Sequence, residues 1–194
     1  MRFNDATCAA AHDAANVPVL SLVSALCVGG LFGFIEPLVV TKVFLMYILF
    51  DGVWIAAYPK CVPSAAKVVV LHHVITGALL LHPLRRPDRA IETCKNGLVE
   101  LNTLFLILRR RSTRGGTTHA LWNAMYVATL VPIRFIWQPY LLVYFVGLTS
   151  RDAAWERAQV VGAQAFLVGF NVFLVSRRRR ESGGESEVGK RKNS

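Results

Sequence analysis

Residues 67–82, which read KVVVLHHVITGALLLH, indicate a membrane-spanning fold with polar groups inside it. The stretch is predominantly apolar and approaches the length of a membrane span, yet His72 and His73 lie near its centre. A titratable ring is unstable in apolar surroundings unless it is paired or hydrogen-bonded. Adjacent side chains of a helix point about 100° apart. We therefore expect one histidine to face a polar interior and the other to face a neighbouring helix.

The composition of the whole chain is that of an integral membrane protein. Its 194 residues are 54% hydrophobic, with a mean hydropathy of +0.42, and the apolar residues are concentrated in long runs. The formal net charge is +10. The basic residues lie between and after the apolar runs, which is typical of topology signals and lipid-headgroup contacts. We therefore expect a membrane lipid rather than a nucleic acid as partner.

The apolar runs predict an all-α protein with about six transmembrane helices, and five or seven are the alternatives. The runs are 17–35, 37–58, 64–82, 93–108, 119–148 and 158–176. The fourth is short and polar, so neighbouring helices must shield it from lipid. The fifth is too long for one perpendicular helix, and we expect Pro132 and Pro139 to kink, tilt or divide it. Three segments follow: a polar N-terminal segment (1–16), a transmembrane domain (17–176) and a basic, disordered tail (177–194).

The arginines predict which side of the membrane holds the C-terminus. RRRSTR at 109–114 and RRRR at 177–180 share a side with the N-terminus if there are six spans. Basic residues are more frequent in cytosolic segments, so this side is predicted to be cytosolic. The final residues resemble a dibasic retrieval signal, with Lys192 third and Lys190 fifth from the end, which implies the endoplasmic reticulum. The alternative is a basic tail that contacts anionic lipid.

The sequence contains no pattern that predicts a metal site or a cofactor. Its four cysteines (Cys8, Cys27, Cys61 and Cys94) show neither CxxC pairing nor zinc spacing. Its five histidines do not form the ligand boxes of a di-iron enzyme. Nucleotide-binding glycine loops and the GxSxG nucleophile motif are also missing from the sequence.

Several polar residues lie inside the predicted spans. A charge at the centre of a bilayer costs about 2.5–3.5 kcal/mol on insertion scales, so such residues face the interior and pair. The most economical arrangement is one polar interior lined by the second to fifth spans. An acid paired with Arg134 for purely structural reasons is the alternative. The candidate site residues are Asp51, His72, His73, Glu100, Thr103, Asn123 and Arg134.

Four stretches in this order resemble the TLC-domain family, which includes ceramide synthases and translocating-chain-associated membrane proteins. They are FLMYILFDGVWIAAYP, LHHVITG, GLVELNTLFLILRR and LWNAMYVATLVPIRFIWQPY. The resemblance covers residues 17–176 and implies a helical membrane barrel in the endoplasmic reticulum. His72 and His73 match the histidine pair that ceramide synthases use to join an acyl-CoA to a sphingoid base. However, residues 100–103 read ELNT where the synthases carry an HDxxD-type segment. This is closer to the non-synthase branch, which is linked to membrane lipid composition.

The sequence is compatible with three functions. The first is lipid binding or the regulation of lipid composition in membrane lipid homeostasis. The second is N-acyl transfer from acyl-CoA to a sphingoid base, with His72 or His73 as general base and Glu100 or Asp51 orienting the ring. The third is a proton-coupled carrier in which the same groups relay protons. Whether the protein is an enzyme, and its oligomeric state, are left open.

Overall fold

A computed structural model describes residues 5–62 and 65–192, with side chains over 6–62 and 65–176. The described chain is helical and contains no strand. Short 3-10 turns at Pro59–Cys61 and Pro87–Arg89 precede α3 and α4. The helices are α1 (Asp5–Leu31), α2 (Pro37–Ala57), α3 (Ala66–Arg85), α4 (Ile91–Gly97), α5 (Val99–Arg111), α6 (Thr117–Thr129), a π-helix (Leu130–Trp137), α7 (Gln138–Leu148) and α8 (Ala154–Lys192).

The predicted all-α class with several membrane-length apolar helices is confirmed. Among the described residues, five helical stretches are long and apolar enough to cross a membrane: Ala6–Leu31, Pro37–Ala57, Ala66–Arg85, Thr117–Leu148 and Ala154–Ser176. The fourth predicted span is not among them, because its helix is interrupted at Leu98. That interruption leaves α4 with seven residues and α5 with thirteen, and α5 ends in three arginines.

The first helix begins inside the segment that we expected to be a polar N-terminal extension. Residues 8–15 read CAAAHDAA, and alanine has the highest helix propensity of all residues. The helix turns His12, Asp13 and Asn16 into the bundle, where each is only 5–6% exposed. These polar residues therefore belong to the helical domain.

The long fifth run forms one continuous helix rather than two broken halves. Thr117–Leu148 spans 32 residues, and its central part is π-helical. Pro132 lies in the π segment and Pro139 just after its end, so both prolines lie where the continuous helix departs from the regular α-helical hydrogen-bond pattern. A π segment follows an i→i+5 hydrogen-bond pattern, so it accommodates residues that a regular helix excludes.

Two apolar clusters hold the helices together. One contains Leu20, Val40, Phe44 and Ile48 and joins α1 to α2 and α4, whereas the other joins α3 to α7 and α8. Helices α1 and α4 pack very closely because glycines face cysteines. Gly30 of α1 lies against Cys94, and Gly97 of α4 lies against Cys27. Both of these cysteines are buried free thiols that pack as small apolar side chains.

The other two cysteines form a disulfide that the sequence analysis did not predict. Cys8 of α1 is bonded to Cys61, in the turn between α2 and α3. Arg110 near the end of α5 forms an ion pair with Asp13, and Arg111 donates to the carbonyl of Ala10. The start of α1, the turn after α2 and the end of α5 therefore lie at the same end of the bundle, which we call one face of the membrane domain. Helix α8 extends to Lys192, through most of the tail that we expected to be disordered. That Lys190 and Lys192 act as a retrieval signal stays a prediction.

Candidate functional site

A cavity of about 180 Å³ lies between the helices. Six of the seven candidate residues line it, and they come from α2, α3, α5 and the π-helix: Asp51, His72, His73, Glu100, Thr103 and Arg134. Most of the remaining wall is apolar, with residues from both packing clusters. The structure therefore brings these polar residues together around one space.

Asp51 is at the centre of the first polar group, which we call the Asp51 cluster (His12, Asn16, Asp51 and His73). Its Oδ1 lies 2.8 Å from Nε2 of His12, and its Oδ2 lies 2.8 Å from Nε2 of His73. The amide of Asn16 donates a further hydrogen bond of 3.1 Å to Oδ1. One carboxylate thus connects α1, α2 and α3.

The hydrogen-bond partners of His73 show where its protons lie. Its Nδ1 is 2.7 Å from the carbonyl oxygen of Val69, and this oxygen can only accept, so Nδ1 carries a proton. Its Nε2 faces a carboxylate oxygen, so this contact also contains a proton. One ionisable proton is therefore held between His73 and Asp51, and both nitrogens of the ring are engaged.

His72 lies in a different environment from its neighbour. Its ring stacks on Phe170 of α8, with centroids 4.3 Å apart and planes 9° from parallel. Its Nδ1 is buried and has no hydrogen-bond partner among the described residues. The adjacent histidines therefore have separate roles, one in a charged cluster and one against an aromatic ring.

Arg134 is the centre of the second polar group, the Arg134 cluster (Asn102, Thr103, Arg134 and Asn171). The guanidinium donates to Oδ1 of Asn102 at 2.6 Å, to Oδ1 of Asn171 at 2.6 Å and to Oγ1 of Thr103 at 2.8 Å. Neutral oxygens of α5 and α8 thus surround a cation of the π-helix. This geometry uses the planar fork of an arginine side chain.

Three side-chain amides form a closed ring that the sequence analysis did not identify. Asn96 donates to Gln164 at 2.9 Å, Gln164 donates to Gln138 at 2.8 Å, and Gln138 donates back to Asn96 at 2.9 Å. We call this the amide ring. Each amide is both donor and acceptor, so the ring satisfies its members while it joins α4, α7 and α8.

Asn123 does not take part in these groups. It is partly exposed on α6, and the described lining residues of the cavity do not include it. We expected it to share a face with Arg134 because eleven residues correspond to about three α-helical turns. The π segment between them has a different hydrogen-bond pattern, so this periodicity does not apply. Asn102, on α5, contacts Arg134 instead.

His12 and Asn16 are the most informative residues that the sequence analysis missed. They lie four residues apart in an alanine-rich stretch, so helical periodicity places them on one face of α1. Extending the first helix back to this stretch would have identified them. Within the described chain, no group of three or more His, Cys, Asp or Glu residues has an arrangement that could hold a metal ion.

Comparisons of the chain with protein-family models, with curated proteins and with solved structures found no match. The cavity and its polar groups are therefore the basis of the proposed function.

Proposed function

We propose that this chain is an integral membrane protein that binds a membrane lipid in the cavity and acts in membrane lipid homeostasis. The cavity itself carries the proposal: about 180 Å³ of space, largely apolar walls and a few convergent polar groups. This combination is the usual form of a small-molecule site. The resemblance to the non-synthase branch of the TLC-domain family supports the same function, within a bundle of about six spans.

The geometry gives less support to N-acyl transfer from acyl-CoA to a sphingoid base. A general base has to direct one ring nitrogen at the substrate. Both nitrogens of His73 are engaged by Asp51 and Val69. The unpaired Nδ1 of His72 is the remaining candidate base, but among the described residues Asp51 pairs with His12 and His73 rather than with this ring. Turnover of acyl-CoA by the purified protein would nevertheless select this alternative.

The Asp51 cluster favours a second candidate, a proton-coupled carrier. A carboxylate between two imidazoles holds an exchangeable proton in the bundle, and such groups form the proton relays of transporters. Uptake into liposomes that depends on a pH gradient would select this function. Lipid binding without such uptake favours the first proposal.

We also propose a location in the endoplasmic reticulum with the C-terminus in the cytosol. The support is the clustering of arginines at 109–114 and 177–180. The resemblance to the TLC-domain family, which implies the endoplasmic reticulum, supports the same location.

Mass spectrometry of lipids that co-purify with the protein in a mild detergent tests lipid binding. In the variant Leu106→Trp, a large ring replaces a lining residue, so we expect the bound lipid to be lost. Leu121→Trp is the matched control, since Leu121 is 53% exposed on α6. If no lipid is enriched over a detergent-only sample, or if both variants retain the same lipid, the proposal is wrong.

A further inference from the structure

Two buried polar atoms on one face of α3 have no hydrogen-bond partner in the described part of the chain: Nδ1 of His72 and Oγ1 of Thr76. The residues are four apart, so they lie on successive turns of the same face. Both line the cavity, and Thr76 is only 7% exposed. Nearly all buried polar atoms of native proteins are paired. Two unpaired atoms at one cavity therefore indicate a partner that is not part of the chain.

The ring of His72 is held in position by its neighbours. It stacks on Phe170 at 4.3 Å and meets the ring of His73 edge-on, with centroids 5.4 Å apart. The stack fixes the plane of the ring. The ring is therefore held in one plane at the wall of the cavity.

The charged groups around the cavity are paired or hydrogen-bonded within the protein. The Asp51 cluster pairs a carboxylate with two imidazoles, and the Arg134 cluster surrounds the guanidinium with neutral oxygens. Arg110 pairs with Asp13, and Glu100 lines the same cavity as Arg134. A ligand with a full charge would add an unbalanced charge to a largely apolar space, which is strongly unfavourable. The polar group of the ligand should therefore be neutral.

We propose that the cavity binds a neutral lipid through a hydroxyl group that bridges His72 and Thr76. The ligand hydroxyl donates to Nδ1 of His72 and accepts from the hydroxyl of Thr76. A hydroxyl suits this position because a single atom both donates and accepts. In this arrangement the ring proton of His72 is on Nε2 and Nδ1 accepts, so a carbonyl, which only accepts, would leave Nδ1 unpaired. This inference rests on the proposed lipid-binding function and names the class of its ligand: long-chain alcohols and related neutral hydroxyl lipids.

The space in the cavity is sufficient for this ligand group. An engineered apolar cavity of about 150 Å³ binds benzene, and this cavity measures about 180 Å³. Apolar side chains that include Leu79, Leu167 and Leu174 also line the cavity. They provide the contacts for the carbon chain that begins at the hydroxyl group.

A photoreactive long-chain alcohol, added to the purified full-length protein, provides the test. Competition with hexadecanol, hexadecanoic acid, hexadecylamine and methyl hexadecanoate separates the headgroups at one chain length. Each unpaired buried group costs about 1–3 kcal/mol, so we expect hexadecanol to compete roughly tenfold better than the others. Equal competition by the acid or the amine would show that the hydroxyl is not recognised.

Variants of Thr76 locate the interaction. Thr76→Val keeps the shape but removes the hydroxyl, so hexadecanol should bind roughly tenfold more weakly, with methyl hexadecanoate much less affected. Thr76→Ser should restore binding. Thr149→Val is the control, because the buried Thr149 hydroxyl bonds to the carbonyl of Phe145 instead. If Thr76→Val binds hexadecanol normally, the inference is wrong, and lipid binding itself stands. Without labelling of any cavity residue by the alcohol probe, the inference is wrong, whereas lipid binding itself is decided by the co-purification experiment.

Discussion

His73 and Asp51 meet at 2.8 Å inside the bundle, where their residues are 8% and 6% exposed. The contact joins α3 to α2, and the second oxygen of the aspartate extends it to His12 of α1. Three of the membrane-length helices therefore depend on one carboxylate.

Replacing Asp51 should reveal this dependence. In Asp51→Ala, two buried imidazoles lose their acceptor, and we expect a loss of about 3–5 kcal/mol of stability. Asp51→Asn should lose much less stability. Without the proton that His73 shares with Asp51, the asparagine amide can donate to His73 and accept from His12. Thermal unfolding of the detergent-purified protein measures both. The surface variant Asp88→Ala is the control, and equal midpoints for Ala and Asn would contradict the prediction.

Arg134→Lys should also be destabilising, although it conserves the charge. A lysine cannot direct the guanidinium fork at Asn102, Thr103 and Asn171 together. Each hydrogen bond to a charged group contributes about 1.5–3 kcal/mol, so the thermal midpoint should fall clearly. Arg157→Lys, at an exposed position of α8, is the matched control. A midpoint equal to that of the control would mean that the hydrogen bonds to the three acceptors do not require the guanidinium fork.

The amide ring makes a prediction about coupling. Gln164→Leu leaves a donor of Asn96 and an acceptor of Gln138 unpaired, at about 1–3 kcal/mol. Gln138→Leu should have a similar effect. Both changes break the same ring. The double variant should therefore lose clearly less stability than the two single variants lose together, with a coupling energy of about 0.5–3 kcal/mol. Strictly additive effects in thermal unfolding would argue against a closed ring.

Gly97→Ala tests the close packing of α1 on α4. A Cβ atom at this position would overlap Sγ of Cys27 and press on the ring of Phe44, so the helices would have to separate. We expect a loss of about 1–3 kcal/mol in thermal unfolding. Gly169→Ala is the control within α8, since a Cβ atom there meets nothing within 4 Å and alanine favours the helix. Equal behaviour of the two variants would disprove the close approach.

Two features of one face bear on orientation in opposite ways. The arginines at 109–114 favour the cytosol, whereas the Cys8–Cys61 disulfide is typical of an oxidising compartment. With the proposed cytosolic C-terminus, protease treatment of sealed microsomes should remove a C-terminal tag.

The oxidation state of the cysteines provides an independent test of the same orientation. If this face lies in the reducing cytosol, Cys8 and Cys61 should be reduced in cells. Alkylation after acid quenching and denaturation should then modify all four cysteines. Cys27 and Cys94 are free thiols and serve as internal standards. A tag protected until detergent is added, together with only two modified cysteines, would place this face in the lumen.

Much of the helical architecture could be predicted from the sequence. Long apolar runs form helices in a membrane because each backbone group must bond within its own segment. The same cost argument selected Asp51 and His73 as groups in need of partners. The limits of α1 and the π segment were missed, because periodicity alone specifies neither where a helix starts nor where its hydrogen-bond pattern changes.

The chain by itself determined that polar groups at membrane depth must be satisfied inside the bundle. Only the tertiary structure decided which groups satisfy one another. His12 lies 39 residues from Asp51, and Asn96 lies 68 residues from Gln164. The packing of the helices also decided that His73 faces the carboxylate while His72 faces Phe170 and the cavity. Local sequence specifies the rotation from one side chain to the next, but the partner on each side comes from helices distant in sequence.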